Sequence, residues 1–327
     1  MEPQNLSIFA PASPPAESIR TLSVLVFVIT GLIFVVVEGI LIVLIVRSRR
    51  RVGDETQEPP QIYGSKPIEI AWTAAPLLIV LVLALVSARS LWEVRVDPPR
   101  PHEGSGALFV TVIGHQWWWE YRYETYDGKT LGFIAANELH VPASDGDIVR
   151  PVYLTLESAD VCHSFWVPRL GGKTDLIPGR VTSMWFQTRE RGLFVGQCAE
   201  YCGTQHANML IRVVVDAPAD FARWVEAQQQ PAQEEPAASE GKAAFLAQSC
   251  VNCHRVRGTT ANGSYAPDLT HLMSRDTLAA GMVPNTPKEL RRWVENPQDV
   301  KPGCLMPAFR LDERKKKLIL DYLQTLR

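Results

Sequence analysis

The sequence predicts a chain of three parts in line: a two-helix transmembrane hairpin, an all-β sandwich and a small all-α domain. Three observations carry that expectation. Two long apolar runs are confined to the first hundred residues, short alternating strands fill residues 105–228, and the pattern turns helical after a stretch rich in Gln, Glu, Ala and Pro. At 327 residues the chain has room for all three, and a formal net charge of -2 gives no basis for nucleic-acid binding.

The first apolar run, Thr21 to Val46, is broken only by Glu38 and small residues. A hydrocarbon core about 30 Å thick takes roughly 20 residues at about 1.5 Å rise each, so the run can span. It is too long for the apolar part of a signal peptide and no small-residue cleavage site follows, so it is expected to be retained. The second run, Ile68 to Val86, is closed off by Arg89. Arg47, Arg49, Arg50, Arg51 and Lys66 lie between the two. Such a cationic loop stays in the cytoplasm, which sends both termini and everything after about residue 92 outward. The expectation is an outward tail over 1–20 and a hairpin over 21–95.

Residues 105–228 alternate as strands do, for example in Leu108 to Ile113 and Ile211 to Val215, with turns at Asp127-Gly128, Val141-Pro142 and Ile177-Pro178-Gly179. That pattern points to a β-sandwich or small barrel. Residues 229–240 lack apolar periodicity and read as a linker. A dozen flexible residues reach roughly 20 Å. From 241 to 327 the pattern is helical, with Pro287 and Asp312 as start signals. The two outer parts differ in charge. Residues 105–228 hold 10 Lys/Arg against 14 Asp/Glu, and residues 241–327 hold 14 against 8, so opposite fields are a candidate means of docking one on the other. The alternative is two independently solvated surfaces, with Lys315-Lys316-Lys317 on an exposed helix face.

Six cysteines stand in the chain, and four fall in close pairs beside histidine, which is ligand spacing and not a disulfide framework. The segment CAEYCGTQHANM puts Cys198, Cys202, His206 and Met209 within twelve residues, and His163 stands upstream in DVCHSFWVP. Thiolate, thioether and imidazole together select copper. A mononuclear blue-copper site needs one cysteine, so the second is surplus to it, whereas two thiolates can bridge two copper ions. A structural zinc site of two Cys and two His is the alternative; it would leave Met209 idle and lacks finger spacing.

Cys250-Val-Asn-Cys253-His254 is the c-type haem attachment pattern: two thiols for the vinyl groups and a histidine for the proximal bond. A thioredoxin-like pair would need a βαβ setting that this stretch lacks. Met306-Pro307, 52 residues after the histidine, is the expected distal ligand. Met273 and Met282 are rivals outside a Met-Pro setting. Trp293 is a candidate propionate contact, and Cys304 reads as a spare thiol.

CAEYCGTQHANM and DVCHSFWVP closely resemble the copper-A loop and strand of cytochrome c oxidase subunit II, over roughly residues 20–225. The layout of GKAAFLAQSCVNCH, APDLT (266–270) and KPGCLMP (301–307) resembles class I cytochrome c. Together they look like subunit II of a caa-type oxidase with a fused cytochrome c domain. The resemblance implies a cupredoxin Greek-key sandwich and a class I cytochrome c. It implies a dinuclear copper A held by His163, Cys198, Cys202, His206, Met209 and the Glu200 carbonyl, a covalent haem c on Cys250 and Cys253, and a magnesium ion shared with subunit I through the Glu200 carboxylate. Trp117, in GHQWWWEY, matches the tryptophan where electrons enter, while Trp119 is expected to be packing. Lys173 to Arg180 looks like the segment that contacts subunit I. Glu69 matches a carboxylate at the entrance of a proton channel. Glu38 has no counterpart role. Cys162 replaces the usual apolar residue before the ligand histidine and is expected to be a small core residue.

The function so implied is electron transfer in a proton-pumping haem-copper oxidase of the bacterial cytoplasmic membrane, with both outer domains on the periplasmic face. Electrons would pass from an external donor, a cytochrome c or a quinol-oxidising complex, to the haem, Trp117, the copper pair and subunit I, where oxygen is reduced. Subunit III and membrane lipid are the other partners implied. A copper-haem subunit of a nitric oxide reductase is the rival within the superfamily. A stand-alone membrane-tethered carrier is the rival of another class.

Overall fold

The computed structural model describes residues 7–49, 61, 63–95, 104–233 and 235–327. Arg50 and Arg51 of the cationic loop lie outside them, as do residues 1–6 of the tail. Residues 17–98 form one compact unit, and residues 1–16 with 99–327 form the other.

The membrane unit is two helices, α1 (Pro14–Arg47) and α2 (Lys66–Arg95), each long and apolar enough to cross a bilayer. The Ser18 hydroxyl near the start of α1 donates to the Glu93 carboxylate near the end of α2 at 3.1 Å, so the pair runs antiparallel, as a hairpin must. The first helix begins at Pro14, ahead of the apolar run, so it takes up part of the expected tail. Glu38 lies within α1, and Glu69 in the first turn of α2.

The sandwich is built from β1 (Leu108–His115), β2 (Trp118–Tyr126), β3 (Lys129–Ala136), β4 (Glu138–Pro142), β5 (Val152–Ser158), β6 (His163–Trp166), β7 (Thr174–Leu176), β8 (Thr182–Phe186), β9 (Gly192–Cys198) and β10 (Leu210–Asp216). One sheet runs β3-β2-β1-β5-β8 and the other β4-β10-β9-β6-β7. The pairs β1–β5 and β4–β10 are parallel and join strands far apart in sequence, as the crossovers of a Greek-key sandwich do. Alternation explains the layering. Val152, Leu154 and Leu156 of β5 are buried while the residues between them are half-exposed, and they meet Phe165, Phe194 and Ile211 of the facing sheet in one core. Trp119, wholly buried and edge-on to Phe165 at 5.6 Å, is packing, as expected.

After β10 the chain forms α3 (Pro218–Gln229), α4 (Ser239–Leu246), the single turn α5 (Cys250–Cys253), α6 (Pro287–Glu295) and α7 (Glu313–Leu323). Pro287 opens α6 behind a Thr286 cap, and the Asp312 carboxylate accepts from the Lys315 backbone N–H at 2.8 Å to cap α7. Where α4 crosses α7, a side chain on Gly241 would lie 2.2 Å from the Leu318 carbonyl, so only glycine permits this approach.

The expected linker is not a free tether. Ala232 and Ala238 are buried in the core of the helical domain, and Arg257 donates to the carbonyls of Gln228 and Gln229 while His271 faces that of Gln230 at 3.1 Å. Polar composition marked a linker, but small alanines bury readily and the backbone carbonyls find donors in side chains distant in sequence.

Candidate metal centre and haem pocket

The β9–β10 connection carries most of the metal donors. Its base is closed by the Cys198 N–H donating to the Met209 carbonyl at 2.9 Å, and a single 3-10 turn over His206–Asn208 folds the loop back on itself. Strand β6 pairs with β9, Phe165 opposite Cys198, which sets His163 beside the loop.

All six sequence-predicted donors converge. The Cys198 and Cys202 sulfurs lie 3.8 Å apart. His163 Nδ1 is 3.9 Å and the Glu200 carbonyl 3.2 Å from Cys198 Sγ, and His206 Nδ1 is 3.6 Å and Met209 Sδ 3.9 Å from Cys202 Sγ. His163, Cys198, Cys202 and Met209 are buried. The two sulfurs share a hydrogen bond, which pulls the Cys198 thiol well below the usual thiol range and pushes Cys202 up. A deprotonated sulfur is the form that binds metal. Two sulfurs ringed by two imidazoles, a thioether and a carbonyl exceed the four donors of a zinc site and fit a bridged copper pair.

Asp160, the first residue of DVCHSFWVP, is a further functional candidate. Its carboxylate contacts His163 Nε2 at 2.8 Å, which turns Nδ1 toward the sulfurs. Burial works against the charged carboxylate, but hydrogen bonds from His163 and from the backbone N–H groups of Val161 and Gln116 outweigh it and hold Asp160 below the usual carboxylate range. Its signal was its position three residues before the ligand histidine. Cys162 is a correction: it is exposed, not a core residue. It ends the turn before β6, so when His163 points in, the preceding side chain points out.

Trp117, 8% exposed, donates its indole N–H to the Cys202 carbonyl at 2.9 Å, and the Gln116 amide reaches the same oxygen at 2.7 Å. Gly203 makes room for the indole. Its φ of +114° suits glycine, and a Cβ there would lie 3.0 Å from Trp117 Cζ2.

Trp117 also borders the haem pocket. A cavity with about 1380 Å³ of empty space, its mouth included, is lined by Cys250, Cys253, His254, Met306 and Trp293, and on the sandwich side by Gln116, Trp117 and Trp118. Met306 borders it and the rivals Met273 and Met282 do not. His254 Nδ1 lies 2.8 Å from the Pro267 carbonyl, which makes Nδ1 the N–H donor and leaves Nε2 free to ligate. Burial holds His254 below the ordinary imidazole range, in the neutral form that binds metal. The Gln298 amide donates to the carbonyls of Cys304 and Met306 at 3.0 and 3.1 Å and so anchors the methionine loop. Paired thiols, a free imidazole nitrogen and a thioether around one apolar cavity fit a c-type haem.

Other predicted residues stand apart. Lys173, Asp175 and Arg180 are exposed around β7. Lys316 and Lys317 pair within their own domain, with Glu313 and Asp321 at 2.7 Å each.

Residues 108–217 match the family of the cytochrome C oxidase subunit II periplasmic domain, residues 2–89 that of its transmembrane domain, and residues 238–327 cytochrome c. A cytochrome c oxidase subunit 2 of Alkalihalophilus pseudofirmus is 33% identical over 99% of this chain and 92% of its own length. One from Bacillus subtilis is 31% identical over 98% of this chain and 92% of its own length. The crystal structure of the periplasmic domain of subunit II of cytochrome oxidase from Bradyrhizobium japonicum is 32% identical, covers 39% of this chain and 96% of its own, and superposes with a TM-score of 0.34. The two outer families imply copper and haem. On relatives matched over almost their whole length, the chain belongs to the cytochrome c oxidase subunit II family, as an electron-transfer subunit of a haem-copper oxidase with a cytochrome c domain fused at its C-terminal end.

Proposed function

We propose that this subunit receives electrons at its cytochrome c domain and hands them through Trp117 toward subunit I. His163, Cys198, Cys202, His206, Met209 and the Glu200 carbonyl hold a dinuclear copper A. Cys250 and Cys253 would attach a haem c covalently, and His254 and Met306 would ligate its iron. When bound, the two groups supply one-electron carriers; everything else is the work of this chain. Trp117 carries the proposal, because one indole both borders the haem cavity and hydrogen-bonds the backbone of a copper-site cysteine. Being buried beneath the cytochrome domain, it is reached by an external donor, a cytochrome c or a quinol-oxidising complex, only through that domain. The cupredoxin domain spans 105–228 and the cytochrome domain 241–327.

Both outer domains face the periplasm, since the cationic residues between α1 and α2 hold that loop in the cytoplasm. The Glu200 carboxylate reaches a magnesium ion shared with subunit I, Glu69 stands at the entrance of a proton channel, and subunit III completes the assembly. Metal and haem analysis of the purified chain, with optical and EPR spectra, tests the proposal. Two coppers with a mixed-valence signature and one covalent haem per chain are expected. A single copper, or zinc in its place, overturns it.

A further inference from the structure

Two buried charged side chains, one from each domain, reach across the boundary between the sandwich and the cytochrome domain. Lys301 is 2% exposed. Its ammonium donates to the carbonyls of Trp117 at 2.7 Å, Asn208 at 2.8 Å and Ala279 at 3.2 Å. The first belongs to the tryptophan between the two pockets. The second lies in the copper loop, next to Met209. The third is in the wall of the haem cavity. From the other side the Glu138 carboxylate, 4% exposed, accepts from the backbone N–H groups of Asp276 and Thr277 at 2.9 Å each and from the Thr277 hydroxyl at 2.6 Å. The Gln205 amide on the Pro302 carbonyl and the Leu210 N–H on the Ala280 carbonyl complete the seam.

A buried charge is tolerated when its hydrogen-bonding capacity is met. An ammonium has three donors, and three carbonyls receive them here. Burial pulls the Lys301 pKa down to about 7, the mark of a group removed from water. Separation of the domains would return the ammonium and the Trp117 and Asn208 carbonyls to water, since Ala279 belongs to the same domain as Lys301, so the contact adds little net affinity. Its effect is on placement, because only one register of the two domains satisfies every donor at once.

We infer that Lys301 is a positioning residue for electron transfer within the chain: its ammonium locks the haem-pocket wall, the Trp117 backbone and the copper loop into one register. The inference rests on the proposed role of Trp117. Glu138 secures the same register from the sandwich side.

The test uses the full chain in detergent with both centres loaded, and follows electron transfer from photoreduced haem to copper. Lys301→Met keeps the aliphatic stem and removes the donors. It should slow first-order transfer at least about tenfold, as small misplacements do. Haem absorption, copper spectrum and both midpoint potentials should stay native, while amide hydrogen exchange at Asp276 and Thr277 quickens. Glu138→Gln, which sets an amide N–H against backbone donors, should slow transfer in the same way. Native transfer in Lys301→Met overturns the inference. So does slowed transfer with an altered copper spectrum, because Lys301 would then only support the loop. If Lys301→Met fails to load either centre, Glu138→Gln decides, and a native rate in that variant overturns the inference. Absence of transfer in the native chain would instead sink the underlying reading of Trp117.

Discussion

Asp160 illustrates how a candidate metal centre can be positioned by a residue outside its donor set. The carboxylate fixes the ring of His163 by its outer nitrogen, and backbone N–H groups from Val161 and Gln116 fix the carboxylate in turn. Removing such a partner typically costs a metal site about 10–100-fold in affinity. Asp160→Ala should therefore lose copper to a competing chelator at concentrations about 10–100-fold lower than the native chain does; equal retention would show that β6 alone orients the ring. The candidate ligands themselves were legible, because sulfur and imidazole at short spacing have few other uses. Asp160 was not, since a surface aspartate before a strand has many.

The β9–β10 loop is the element on which both pockets depend. It carries five of the six donors, and its Gly203 lets the Trp117 indole lie against the Cys202 backbone. A side chain at Gly203 would meet the ring and adopt a φ of +114°, a conformation that costs residues other than glycine about 1–3 kcal/mol. Gly203→Ala should lower the stability of the outer domains by that order in denaturant titrations and shift the tryptophan emission. An unchanged emission spectrum would mean that the loop, not the indole, yields. The strands and the starts of α6 and α7 were legible from alternation and from Pro287 and Asp312. The anchoring of the linker's described residues was not: Arg257 and His271 lie in a later segment and leave no mark on residues 229–240.

At the scale of the molecule, the seam between the outer domains relies mainly on buried hydrogen bonds rather than on exposed charge pairs. Opposite fields left electrostatic docking and two independent surfaces both open, and most of the seam's hydrogen bonds join a buried side chain to a backbone group. The ion pair between Arg212 and Asp276, 3.4 Å, places the cation on the acidic domain and the anion on the basic one, against the bulk fields. The lysines of α7 are occupied by carboxylates of their own domain. Screening acts on exposed charges and spares buried ones. Haem-to-copper transfer within the chain should therefore stay constant as ionic strength rises. A steep fall with salt would restore the opposite-field picture.

By itself the sequence determined which residues are candidates to bind copper and haem, the two membrane helices, and the order of the three parts. Those features are local, written in spacings of a few residues or one apolar run. Only the tertiary structure decided how the two centres are joined. Lys301 meets carbonyls 184 and 93 positions earlier in the chain, and Glu138 meets N–H groups 138 and 139 positions later. Backbone groups are the same at every residue, so a contact that uses them leaves no side-chain signature in the partner segment; folding alone selects which carbonyls a buried lysine will find.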